Sequence, residues 1–193
     1  APVAPEGSLD PQSLFDTPKG EIWLEIGFGG GEHLAGQARR NPDVGFIGVE
    51  PFIEGFAKAL TAISDMSLKN VRLHQGDARD VLTGLTPNSL DRVFIMFPDP
   101  WPKARHHKRR LIQEPFLALL ASRLKSGGQV RFATDWANYA DWALERFIGS
   151  ADFEWTAQTA SDWRTPPADH VTTRYQEKRL GDCDPVWFDF VRA

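Results

Sequence analysis

Between residues 21 and 148 short apolar runs alternate with amphipathic stretches, and few folds accept that rhythm. The runs 21–26, 44–49, 71–74, 91–96 and 129–133 have the length and the β-branched or aromatic character of strands. Helical patterns fill the gaps at 32–40, 53–65, 79–82, 111–124 and 136–148. In the second of these, Phe56, Leu60 and Ile63 are expected to share the buried face. Pro115 belongs in the first turn of the fourth, and Ser126-Gly127-Gly128 is its expected stop. A further strand-like piece at 153–158, a polar loop at 161–173 and a terminal strand at 186–191 close the chain. Alternating strands and helices predict an α/β fold: a mostly parallel, doubly wound sheet with right-handed crossovers.

Ligands of such sheets collect beyond the carboxyl ends of the strands. There the chain carries Glu50, Asp77, Asp99 and Asp135, with Glu25 just before the turn Gly27-Phe28-Gly29-Gly30-Gly31. A single acid of this kind is usually a helix cap, and Asp135 before Trp136 could be one. Five on one rim point to a ligand. Gly27, Gly29 and Gly31 form G-x-G-x-G, whereas a dinucleotide fingerprint needs glycine where Glu32 stands. Glu25 and Glu32 would repel a pyrophosphate but suit a cationic sulfonium and amino group. Glu50 is spaced to accept from ribose hydroxyls, Asp77 can accept from an adenine amino group, and Ala78 can offer its amide. S-adenosylmethionine (SAM) meets all of these conditions, and NAD meets fewer.

The run 93–97 stops at Pro98-Asp99-Pro100-Trp101-Pro102, whose prolines exclude helix and strand interior and are expected to hold the backbone extended. Lys103, Arg105, His106, His107, Lys108, Arg109 and Arg110 follow at once. The chain as a whole has a formal charge of −4, so these cations are a focused patch on an acidic body. A charge run is ordinarily a solvated face; an acid and a tryptophan beside it favour a nucleic-acid site instead. The two histidines read as solvated groups on the nucleic-acid-facing side, because they lack further ligands for a metal.

These strings together resemble the tRNA (guanine-N7-)-methyltransferase family: 24–31, Gly48-Val49-Glu50, Gly76-Asp77-Ala78, 97–101 and Ala133-Thr134-Asp135. The resemblance covers the chain from about Glu21 onward. It implies a Rossmann-like seven-stranded sheet with an antiparallel last strand, and methylation of a guanine N7 in the variable loop of tRNA. Its cofactor-binding acids fall on Glu25, Glu50, Asp77 and Asp99, and substrate-binding positions on Lys103 and Asp135. Residues 105–110 match its RNA-contacting stretch. A C-terminal motif, Thr-x-aromatic-Glu in the family, reads Thr173-Arg174-Tyr175-Gln176 here. Gln keeps an acceptor oxygen, loses the charge and adds two donors.

Guanine N7 has a free lone pair, so the chemistry needs alignment and charge stabilisation rather than a base. Asp99 is the expected catalytic carboxylate, and Trp101 is either a stacking surface for the base or a packing residue. Two other classes share these features: a SAM-dependent methyltransferase of a protein or small molecule, and an inactive SAM- and RNA-binding module. The chain is expected to be one domain, monomeric or homodimeric, with residues 1–20 loosely ordered and no membrane segment. The lone Cys183 fits a reducing cytoplasm and leaves no Cys-based metal cluster.

Overall fold

The computed structural model describes residues 7–193 and is built on one seven-stranded sheet of order β3-β2-β1-β4-β5-β7-β6. Its strands are β1 Glu21–Ile26, β2 Val44–Glu50, β3 Val71–Gln75, β4 Leu90–Met96, β5 Leu124–Thr134, β6 Phe153–Trp155 and β7 Val186–Arg192. Strands β1 to β5 run parallel, while β7 is antiparallel to both neighbours. The helices are α1 Glu32–Arg40, α2 Ile53–Asp65, α3 Ala78–Gly84, α4 Glu114–Arg123 and α5 Ala137–Gly149. Two single turns, α6 Ser161–Arg164 and α7 Arg174–Glu177, lie in the expected polar loop and just beyond it. The central strands are apolar on both faces because helices cover both: Val93, Phe94 and Ile95 are all fully buried.

Three local expectations need correction. The fourth helix is shorter than 111–124 and does not stop on glycine. Leu124 is wholly buried and its backbone turns extended, so its side chain enters the core as the first residue of β5. Gly127, with φ of 76°, then sits near a register shift between β4 and β5 instead of capping a helix. In α2 the packed positions are Phe56, Ala59 and Ile63, whereas Leu60 is exposed. The small Ala59 is what the neighbouring turn requires: a Cβ on Gly31 would lie 2.6 Å from that of Ala59.

The N-terminal segment is also tied down where it is described. Leu9 bridges to Leu85, and Asp10 caps a 3-10 turn over Pro11–Leu14. Phe15 is buried under the Arg72 guanidinium, whose Nε donates to Leu14 O at 2.7 Å. Residues 1–6 of the segment expected to be loose lie outside the described residues. No helix among the described residues is long and apolar enough to cross a membrane.

Candidate active site

The carboxyl ends of β1, β2 and β4 open into a cleft of about 790 Å³, ample for a nucleoside-sized ligand. The β1–α1 turn forms its floor. Gly29 and Gly31 have φ of 54° and 80°, a region side chains rarely adopt, and a Cβ on Gly29 would meet only open space. Glu50 Oε2 accepts from Gly29 N at 2.8 Å and its Oε1 from Phe52 N at 3.0 Å. Each carboxylate oxygen retains acceptor capacity towards the cleft. Glu25 is buried at the cleft wall and accepts from His33 Nδ1 at 2.7 Å. Asp77 caps α3 through Arg79 N and is also paired with the Arg79 side chain; it stays half-exposed at the cleft beside Ala78. Acids at the cleft wall around an open glycine turn fit a cationic nucleoside cofactor.

The loop after β4 forms the other wall. Its two ends are left-handed rather than extended, with φ of 52° at Phe97 and 42° at Trp101. Bulky residues rarely adopt that region, so surrounding contacts must hold the bend. Arg110 holds one end. It is 1% exposed, donates from Nε to Pro100 O at 2.8 Å and from Nη2 to Asn138 Oδ1 at 2.7 Å, and lies over the Tyr139 and Trp142 rings. Burial lowers its guanidinium pKa and pushes the Tyr139 hydroxyl up to about 12. Arg110 is therefore an internal clamp, which removes it from the RNA-facing set. His107 packs edge-on against Trp142 and is half-buried, so it too is no solvated histidine. Lys103, Arg105, Lys108 and Arg109 are exposed. The Arg109 guanidinium covers the Trp101 ring at 4.9 Å and His106 meets that ring edge-on, so Trp101 belongs to the cleft rim and not the core. Asp99, between the two bends, is exposed and faces the same cleft.

A family model described as "Putative methyltransferase" matches residues 19–187. The tRNA (guanine-N(7)-)-methyltransferase of Caulobacter vibrioides strain NA1000 is 57% identical over 191 residues, covering 99% of this chain and 84% of its own. The chain belongs to the tRNA (guanine-N(7)-)-methyltransferase family. Two solved structures share the fold at low identity. An rRNA methylase from Streptococcus thermophilus aligns with TM-score 0.62 and 14% identity, over 94% of this chain and 91% of its own. A Streptococcus mutans methyltransferase in complex with SAH aligns with TM-score 0.60 and 12% identity, over 95% and 94%.

The C-terminal third supplies Thr173, Arg174 and Tyr175 to the cleft lining, while Asp135 and Gln176 stand behind it. Asp135, at the end of β5, is buried and accepts from Tyr175 Oη at 3.1 Å; burial raises the Tyr175 pKa. It does not cap α5, because Asp182 Oδ1 takes the Ala137 amide instead. Thr173 and Gln176 form a reciprocal capping box, with Gln176 Oε1 accepting from Thr173 N at 3.1 Å. The same oxygen meets His170 Nε2 at 2.9 Å. The altered motif residue is thus occupied internally, while Thr173, Arg174 and Tyr175 line the cleft. Arg174 reaches across to Glu32 at 3.4 Å. Among the described residues no group of three or more ligating side chains gathers as a metal site.

Burial holds His170 below its usual pKa of 6.5. Protonation would add an N–H at buried Nδ1, which has no hydrogen-bond partner among the described residues. The unfolded chain takes up that proton first, so stability from this group is full above pH 6.5 and declines as pH falls below it. Denaturant midpoints measured across that range should fall less steeply for His170→Gln than for the wild type.

Sequence reasoning gave His33 no role. Its signal was the pair His33 and Gln37, one helical turn apart, both buried on the inner face of α1 beside Leu34 and Ala38.

Proposed function

We propose that the chain transfers the methyl group of S-adenosylmethionine to N7 of a guanine in the variable loop of tRNA. One observation carries the reading: the acid-lined cleft and the exposed cations of 103–109 meet at the loop holding Asp99 and Trp101. Its family membership supports the same chemistry. When bound, the cofactor supplies an electrophilic methyl group on a cationic sulfur. Glu25 would hold its amino group, Glu50 its ribose hydroxyls, and Asp77 with the Ala78 amide its adenine.

No residue needs to remove a proton from N7, whose lone pair is already available. Asp99 would offset the positive charge that develops on the base, a use of fixed charge at the reacting centre. Trp101, backed by Arg109, offers an aromatic surface at the rim, where base stacking contributes about 1–3 kcal/mol. Asp135 and Tyr175 form a hydrogen-bonded unit for the guanine edge, with Thr173 and Arg174 beside them. Lys103, Arg105, His106, Lys108 and Arg109 would grip the RNA backbone. A cytoplasmic enzyme that is one methyltransferase domain, monomeric or homodimeric, completes the proposal.

Labelled-methyl transfer into bulk tRNA, followed by nucleoside analysis, tests the reading. 7-Methylguanosine is the expected product; labelled tRNA without it, or no transfer, would overturn it. The double substitution Arg105→Ala/Lys108→Ala should weaken tRNA binding and reduce the slope of log K against log salt by roughly 1.5. Filter binding across a salt series checks this, and SAM affinity should stay unchanged.

A further inference from the structure

His33 is 1% exposed, on the first turn of α1, and its Nδ1 lies 2.7 Å from Glu25 Oε2. Which ring nitrogen carries the hydrogen follows from the next residue in the network. Gln37 Nε2 lies 2.6 Å from the main-chain oxygen of Asp169. A carbonyl can only accept, so the nitrogen of the Gln37 amide must point that way. The same NH2 group stands 3.4 Å from His33 Nε2 and offers it the second hydrogen. His33 Nε2 is therefore the acceptor, and Nδ1–H donates to Glu25.

The anchor of this chain is not solvent but the loop that leads into α7. Asp169 pairs with Arg131 and Arg92 on the sheet, and its main-chain oxygen also accepts from Arg40 at 2.9 Å. The adjacent His170 stands 6.0 Å from the His33 ring, centroid to centroid, and bonds Gln176 of the capping box. A pinned loop thus orients Gln37, Gln37 sets the His33 tautomer, and His33 fixes one oxygen of the Glu25 carboxylate.

We propose that His33 is a positioning residue for the cofactor, holding Glu25 through Nδ1–H in the tautomer that Gln37 and the Asp169 carbonyl impose. The proposal deepens the function above, since it rests on Glu25 receiving the amino group of SAM. A carboxylate whose orientation is set beforehand binds a cation without reorganising, and a hydrogen bond to a charged group is among the stronger ones.

Calorimetric titration of SAM into the ligand-free protein tests this with three variants. Asparagine places its amide nitrogen near the position of Nδ1, glutamine near that of Nε2, and leucine offers no donor. His33→Leu and His33→Gln are each expected to weaken SAM binding by about tenfold. His33→Asn should recover most of that loss, and all three should bind tRNA as the wild type does. Thermal unfolding without ligand separates folding from positioning; should leucine prevent folding, the glutamine and asparagine pair carries the comparison. Equal SAM affinity in wild type and His33→Gln, or equal weakening by Asn and Gln, would overturn the proposal. Failure of the wild type itself to bind SAM would instead overturn the functional reading beneath it.

Discussion

Replacing Asp99 with alanine is expected to lower kcat for tRNA methylation by about 10²–10³-fold, the usual effect of deleting one fixed electrostatic group at a reacting centre. The thermal unfolding midpoint should hardly move. Asp99 is exposed between two bends whose geometry is held elsewhere, and surface substitutions usually shift stability by less than about 0.5 kcal/mol. The two readouts therefore separate. Asp99→Asn keeps the shape and an acceptor oxygen but removes the charge, so it should remain close to alanine if charge is the decisive property. Single-turnover rates with saturating tRNA and SAM make the measurement. Turnover near wild type in Asp99→Ala would remove the carboxylate from the mechanism and leave alignment alone to account for the rate.

Arg110→Met should do the reverse: it should destabilise the fold and disturb the loop together. The substitution fills much of the space but strips donors from Pro100 O and Asn138 Oδ1. It also loses the stacking on Tyr139 and Trp142. Charged hydrogen bonds of this kind and the cation–π contacts together suggest a loss of about 3 kcal/mol. In a chain of this size that lowers the midpoint by roughly 6–12 °C. Activity should fall at temperatures where the variant is still folded, because the bend at Trp101 loses its support. Arg105→Ala, nearer the start of the basic string and exposed, should weaken tRNA binding and leave the midpoint in place. Opposite signatures from two arginines five residues apart would show that the basic string has a structural end and an RNA end.

The contrast explains what could be read in advance. Periodicity placed β1, α1 and α2 at their observed bounds, because apolar residues recur on the packed side of each, and β1 and α1 run into strong breakers, Gly27 and Asn41-Pro42. It misjudged the end of α4, where Ser126-Gly127-Gly128 looked like a cap. Leucine 124 is drawn into the core instead, and no local propensity outweighs a fully buried leucine. The acids Glu25, Glu50, Asp77 and Asp99 were legible because a parallel sheet delivers its strand ends to one rim. Asp135 was placed on that rim too, yet its partner Tyr175 comes from 40 residues further along.

By itself, then, the chain determined its strand and helix alternation, the acidic rim, the glycine turn and the loop around Asp99. These depend on near neighbours and on the period of the apolar residues. Tertiary structure alone decided which of seven adjacent basic or histidine positions face solvent and which clamp the loop from within. It also decided that Gln176 is occupied by Thr173 and His170, and that His33 stands behind Glu25. The reason is physical: whether a polar side chain is a ligand-binding group or an internal brace depends on what lies within about 3 Å of its tip. In a doubly wound sheet those atoms come from segments far apart in sequence.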